Sequence, residues 1–162
     1  MLFVGAAQVV SSIGTTATLV TSDVLIRTIS ATTSSIYTIG KMLLSDSKYV
    51  DLSSLEKLEK QLDLLETIKI YNLWIKEILD KNKEIIDNSE TMKESIHSIV
   101  EVLNELNELL KTIETKVSCH KLKWFSYFRS LNFCTELEEL KVKKNILDNR
   151  FDILQKIYTR FN

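Results

Sequence analysis

Proline is absent from all 162 residues, and the only three glycines, Gly5, Gly14 and Gly40, lie in the first quarter of the chain. Tight β-hairpins usually take glycine at positive φ, whereas helix connections manage with Asn, Asp and Ser. A chain that turns after Gly40 without either residue is therefore expected to be all-α. Two cysteines are too few for a disulfide scaffold and point to reduced, intracellular surroundings. No G-x-G-x-x-G, G-x-x-x-x-G-K-[ST], H-E-x-x-H or G-x-S-x-G occurs. The carboxylates alternate with lysines, as they do on solvated helix faces, so no enzyme activity, cofactor or metal is expected. An excess of charge is lacking too: 21 basic and 22 acidic residues leave a formal net charge of −1, which disfavours nucleic acid as a general partner.

Charge is also missing from the start. Residues 1–44 hold only Asp23, Arg27 and Lys41 as charged groups, and the first 22 residues hold none. No basic run opens the segment as a secretory signal requires, and its Ser, Thr, Gly and Gln dilute the energy of membrane insertion. Ala7, Ser11 and Thr15 make a small-residue face that allows close helix approach, with Val9, Ile13 and Val20 on another. Two expectations stand side by side: burial of this segment against a protein partner or another copy, and contact with a membrane. Phe3, Val9, Val10 and Ile13 are the residues expected to make that contact. Further along, Leu25, Ile29, Ile36, Ile39 and Leu43 share one face of a Ser/Thr-rich helix whose start Ser22 is expected to cap and close to whose end Gly40 lies. Residues 1–44 thus read as one partner- or membrane-facing unit, and residues 45–162 as a Lys/Glu-rich helical bundle.

What the rest of the chain does have is heptad spacing. Ile96, Ile99, Leu103, Leu106, Leu110, Ile113 and Val117 recur at steps of three and four, an apolar stripe that other helices must cover. Leu55, Leu58, Leu62 and Leu65 begin an earlier stripe that drifts to Leu64, Ile68, Tyr71, Ile75 and Ile78, with Trp74 at its boundary. Leu137, Leu140, Leu147, Phe151, Leu154, Tyr158 and Phe161 form a later one, with Lys144 as its polar member. Drifting stripes suit an intramolecular bundle better than a long rod. Capping boxes at Ser53/Glu56, Thr91/Glu94 and Thr135/Glu138 place helices at about 53–81, 91–118 and 135–160. Ile85 and Ile86 are expected to extend the first of these by a turn. The fold class follows: an antiparallel helical bundle of four to five helices with coiled-coil-like packing.

Between Glu114 and Glu136 there is no acid, but there are His120, Lys121, Lys123, Arg129, Trp124, Tyr127 and three of the six phenylalanines. This hairpin, residues 118–134, joins the last two helices. Lys123, Trp124, Phe125, Phe128 and Arg129 are expected to grip a partner protein, with base stacking on nucleic acid and a lipid headgroup boundary as lesser readings of the same residue types; in the plainer reading Trp124, Phe128 and Phe133 plug the bundle end. Cys119 and Cys134 bracket the hairpin within conceivable disulfide reach. With His97 and His120 they also total four zinc-ligand types, but adjacent Cys and His on a helix point about 100° apart and no C-x-x-C accompanies them. His97 reads as a flank residue reaching water.

The order of parts, from TSDVLIRTISATTSSIYTIGKMLL through Leu/Ile/Lys/Glu/Asn helices to HKLKWFSYFRSLNF and KNILDNRFDIL, resembles small helical proteins encoded by large DNA viruses of protists, some of them minor virion components. The resemblance implies a non-enzymatic structural or assembly role in a viral particle or its factory. A second resemblance, to helical cell-death domains that release a hydrophobic N-terminal helix into a membrane, implies the membrane-acting alternative.

Overall fold

The computed structural model describes residues 21–45, 63–122 and 131–161. Among these there are five helices and no strand: α1 (Ser22–Ser45), α2 (Asp63–Lys81), α3 (Lys83–Asn88), α4 (Glu90–Lys121) and α5 (Cys134–Phe161). The expected all-α bundle is what forms. Every member of the central heptad, Ile96 to Val117, is buried, as are Leu137, Leu140, Leu147, Phe151 and Leu154 of α5 and Leu64, Ile68, Ile75 and Ile78 of α2. Trp74, Tyr71 and Tyr158 lie half-buried against that core. The first capping box and Leu55, Leu58 and Leu62 lie outside the described residues.

The pairing of helices follows from contacts between named side chains. Lys116 with Glu136 and Lys143 with Glu105 run in opposite senses along α4 and α5, so the two form an antiparallel hairpin. Gly40 on Leu65 pairs α1 and α2 in the same antiparallel way. Across the bundle the partners advance in step. Thr32 meets Asn104, and Ile39 shares a groove with Thr115 and Leu122, so α1 runs parallel to α4. Tyr71 meets Asp148 and Asn82 meets Tyr158, so α2 runs parallel to α5. The circuit is α1, α2, α5, α4, which leaves α2 diagonal to α4.

A diagonal step needs a connector across the bundle end, and α3 is that connector. The chain breaks at Asn82 (φ −129°, ψ 30°), then Lys83–Asn88 makes a separate short helix that buries Ile86 completely and touches α1, α2 and α4. The expected extension of α2 through Ile85 and Ile86 is corrected here, since Asn82 turns its amide onto Ile78 O and the Tyr158 hydroxyl. From α3, Asp87 accepts hydrogen bonds from Ser22 N (3.1 Å) and Ser22 Oγ (3.4 Å). A free helix N-terminus has unpaired N–H groups and partial positive charge; a carboxylate answers both. Ser22 is thus the first residue of α1, capped by a group 65 positions further along the chain.

Other helix starts also differ from the boxes. Ser89, extended at φ −111°, caps α4 by accepting from Met92 N, two residues before the expected Thr91. At α5, Asn132 Oδ1 accepts from Cys134 N and Phe133 O accepts from Leu137 N, ahead of Thr135. Gly40 does not end α1. It lies inside the helix, where an added Cβ would fall 2.6 Å from Leu65 Cδ1, so its missing side chain lets α1 and α2 approach.

The segment expected at residues 1–44 to face a partner divides. Leu25, Ile29, Ile36, Ile39 and Leu43, the residues expected on one apolar face, are core residues, which makes α1 a wall of the bundle. Three of its hydroxyls are satisfied within the helix, since Thr28, Ser30 and Thr38 donate to the carbonyls four residues back, while Thr32 donates across to Asn104 Oδ1. Residues 1–20 lie outside the described residues.

Candidate functional site

The core face of α5 accounts for one apolar stripe, and the helix carries a second. Val142, Ile146, Ile153 and Ile157 are spaced four, seven and four apart. At about 100° per residue they fall within a sector of about 60°, turned well away from Leu140, Leu147 and Leu154. Val142 is 55% exposed and Ile153 48%, while Ile146 and Ile157 are half-buried with their inner edges on the core. Single exposed apolar residues are ordinary; four on one stripe of one helix form a ridge.

The ridge borders the surface groove between α4 and α5. At the end closed by α3, the groove is an open cavity of about 540 Å³ lined by Glu90, Thr91, Glu94, Ser95 and Ser98 of α4 and by Arg150, Ile153 and Ile157 of α5. Towards the other end Glu105, Glu108, Glu136 and Glu139 gather around Leu109, with Lys143 bonded to Glu105 at 2.7 Å. Lys116, paired with Glu136, holds that carboxyl below the usual range. The α4 wall of the groove is thus rich in acids, and the α5 wall carries Lys143 and Arg150 together with Glu136 and Glu139. Arg150 and Glu94 make no ion pair among the described residues. Ser95 Oγ is buried without a partner at the base of the α4 wall.

A smaller apolar pair stands on the outer face of α2, where Ile70 is 61% exposed and Leu73 58%. On the adjoining flank of α2, Tyr71 stacks on Phe151 (centroids 3.7 Å apart), and Trp74 lies against Phe151 and Tyr158. The Tyr71 hydroxyl donates to Asp148 Oδ1 at 2.9 Å, and Lys144 Nζ donates to Asp148 Oδ2 at 2.9 Å. Burial, then the bond to Asp148, pushes the Tyr71 hydroxyl well above its ordinary pKa. This cluster binds α2 to α5 and leaves no room for a ligand between its rings.

All nine residues expected to grip a partner, Phe3, Val9, Val10, Ile13, Lys123, Trp124, Phe125, Phe128 and Arg129, lie outside the described residues. Their described neighbours, Thr21 and Leu122, stand at opposite ends of the bundle, separated by roughly the 48 Å length of α4. Phe133 is buried, and Leu122 is 88% exposed. Cys119 and Cys134 are both free thiols. His97 is half-exposed on the flank of α4, 3.6 Å from Glu101. No group of three or more His, Cys, Asp or Glu among the described residues is placed to hold a metal ion. No helix among them is long and apolar enough to cross a membrane.

The α5 ridge and the Ile70/Leu73 pair are absent from the sequence reading, because heptad assignment stops once each helix has one seam. The signal was available as a second set of apolar positions out of phase with the first. No family model, curated protein or solved structure matches the chain.

Proposed function

We propose that this chain is a non-enzymatic structural or assembly protein that works through helix–helix contacts. The observation that carries the reading is the α5 ridge: four apolar residues on one outer stripe, beside a groove with an acid-rich α4 wall and an α5 wall of mixed charge. Such a surface recognises another amphipathic helix, since its apolar spacing supplies the seam and its flanking charges set orientation. The likeness of its part order to virion-associated helical proteins supplies a setting, a viral particle or its factory.

A photoreactive residue placed at Ile153 or at Leu73 of the full chain, activated in the producing cell, tests the proposal. Discrete protein adducts are expected at these positions and few at the exposed Gln155. Labelling at the ridge no stronger than at Gln155 would remove the reading.

The runner-up is a membrane-acting helical protein, supported by the absence of charge from the first 22 residues. Co-flotation of the intact chain with anionic or neutral vesicles is its expected result. A chain that stays at the bottom of the gradient excludes it.

A further inference from the structure

We propose that the occupant of the α5 ridge is the α5 ridge of a second copy of this chain, packed antiparallel about a two-fold axis beside Asn149 and Arg150. The inference rests on the assembly reading above and names its partner. Its basis is the symmetry of the spacing. Steps of four, seven and four read the same in both directions, so antiparallel self-pairing sets Val142 against Ile157 of the second copy and Ile146 against its Ile153. Every apolar residue of the ridge then meets an apolar residue, as an isologous contact requires.

Charge supports the same arrangement. In that register Glu139 lies level with Arg160 of the second copy, once at each end of the ridge, and both side chains are exposed in the single chain. Near the axis Arg150 has no ion-pair partner among the described residues, and Glu94 of the neighbouring α4 wall has none either. The pairs Lys143–Glu105 and Lys116–Glu136 set residue 150 of α5 roughly level with residue 100 of α4, so each Arg150 approaches the acidic α4 wall of the other copy around Glu94 and Glu101. A net charge of −1 leaves little overall repulsion between copies.

The ridge is about 22 Å long, and a contact of that length is at the small end of specific interfaces, so a dissociation constant on the order of 10 μM is expected. Sedimentation velocity of the full chain from low to high micromolar concentration should show a monomer–dimer equilibrium. Ile153→Glu should weaken it at least about tenfold, while Gln155→Glu on the exposed side of α5 away from the ridge leaves it unchanged. Ile153 is half-exposed, so the variant is expected to stay folded by circular dichroism.

Cysteines report the direction of pairing. In a Cys119→Ser, Cys134→Ser background, Arg150→Cys should oxidise readily to a linked dimer and Val142→Cys should not, because the two copies of position 142 lie roughly 22 Å apart. A chain that is monomeric throughout, a dimer indifferent to Ile153→Glu, or linkage at position 142 as fast as at 150 would each overturn the proposal. A monomer that still photolabels another protein from Ile153 would overturn the dimer and leave the assembly reading standing.

Discussion

Along the seam between α1 and α4, hydroxyls and amides meet. Thr32 is buried there and donates to Asn104 Oδ1 at 3.0 Å, and Asn107 is buried within the same stretch of α4. Along the seam between α2 and α5, rings meet: Tyr71, Trp74, Phe151 and Tyr158 fill the space. Both pairs run parallel, yet the backbones of α1 and α4 come close along their length, while α2 and α5 touch mainly through side chains. Side-chain volume sets the distance between helices, and the two seams are the narrow and wide sides of one bundle. The narrow seam gains close approach and carries buried polar atoms, of which Asn107 Oδ1 has no partner among the described residues. The wide seam gains apolar area and depends on a few large residues.

The largest effect is expected where one ring supports two others. Phe151→Ala should cost about 3–5 kcal/mol in urea unfolding, because it removes a buried ring and leaves Tyr71 and Trp74 facing a void. A loss under about 1 kcal/mol would mean that the wide seam collapses to fill the gap and that the rings are not what sets its width.

An intermediate pair of opposite sign tests the two buried threonines of α1, of which Thr32 lies on the narrow seam. Thr33→Val keeps the shape and deletes a buried hydroxyl without a partner, so it should stabilise by about 1 kcal/mol. Thr32→Val deletes a bonded hydroxyl and should destabilise by about 0.5–1 kcal/mol. If both variants shift the thermal midpoint the same way, the two threonines do not differ as the structure has them.

The smallest effect is a pH dependence on the wide side. The folded state holds the Tyr71 hydroxyl protonated above its ordinary value of 10.0. Its contribution is therefore complete below that value and is lost as pH rises past it, where the unfolded chain ionises first. Tyr71→Phe should cost about 1 kcal/mol at neutral pH, and its stability curve should converge on that of the unsubstituted chain as pH climbs through about 10. Parallel curves across that range would show that Tyr71 titrates alike in the folded and unfolded states.

The helical class, the central seam from Ile96 to Val117, the α4/α5 hairpin and the inner faces of α1, α2 and α5 were all legible in the sequence. A repeat of three and four is a property of the helix itself, and it survives whatever the neighbours are. Local capping was less legible: Ser89 prevailed over Thr91 because either residue satisfies the local chemistry, and only the path of the chain leaving α3 selects between them. The nine residues expected to grip a partner are neither brought together nor separated by the described structure. The ridge Val142, Ile146, Ile153 and Ile157 escaped notice because an exposed apolar residue is ordinary until its neighbours are seen to share its face.

By itself, then, the sequence determined which residues make helices and which face of each is apolar, since both depend on spacing along one chain. The tertiary structure decided that α1 belongs to the core, that α3 crosses the bundle end to cap it through Asp87 and Ser22, and that one apolar stripe of α5 is left facing outward. Those outcomes depend on which surfaces are already covered, and coverage is settled by groups as far as 77 residues away in the chain, through close packing that no local pattern encodes.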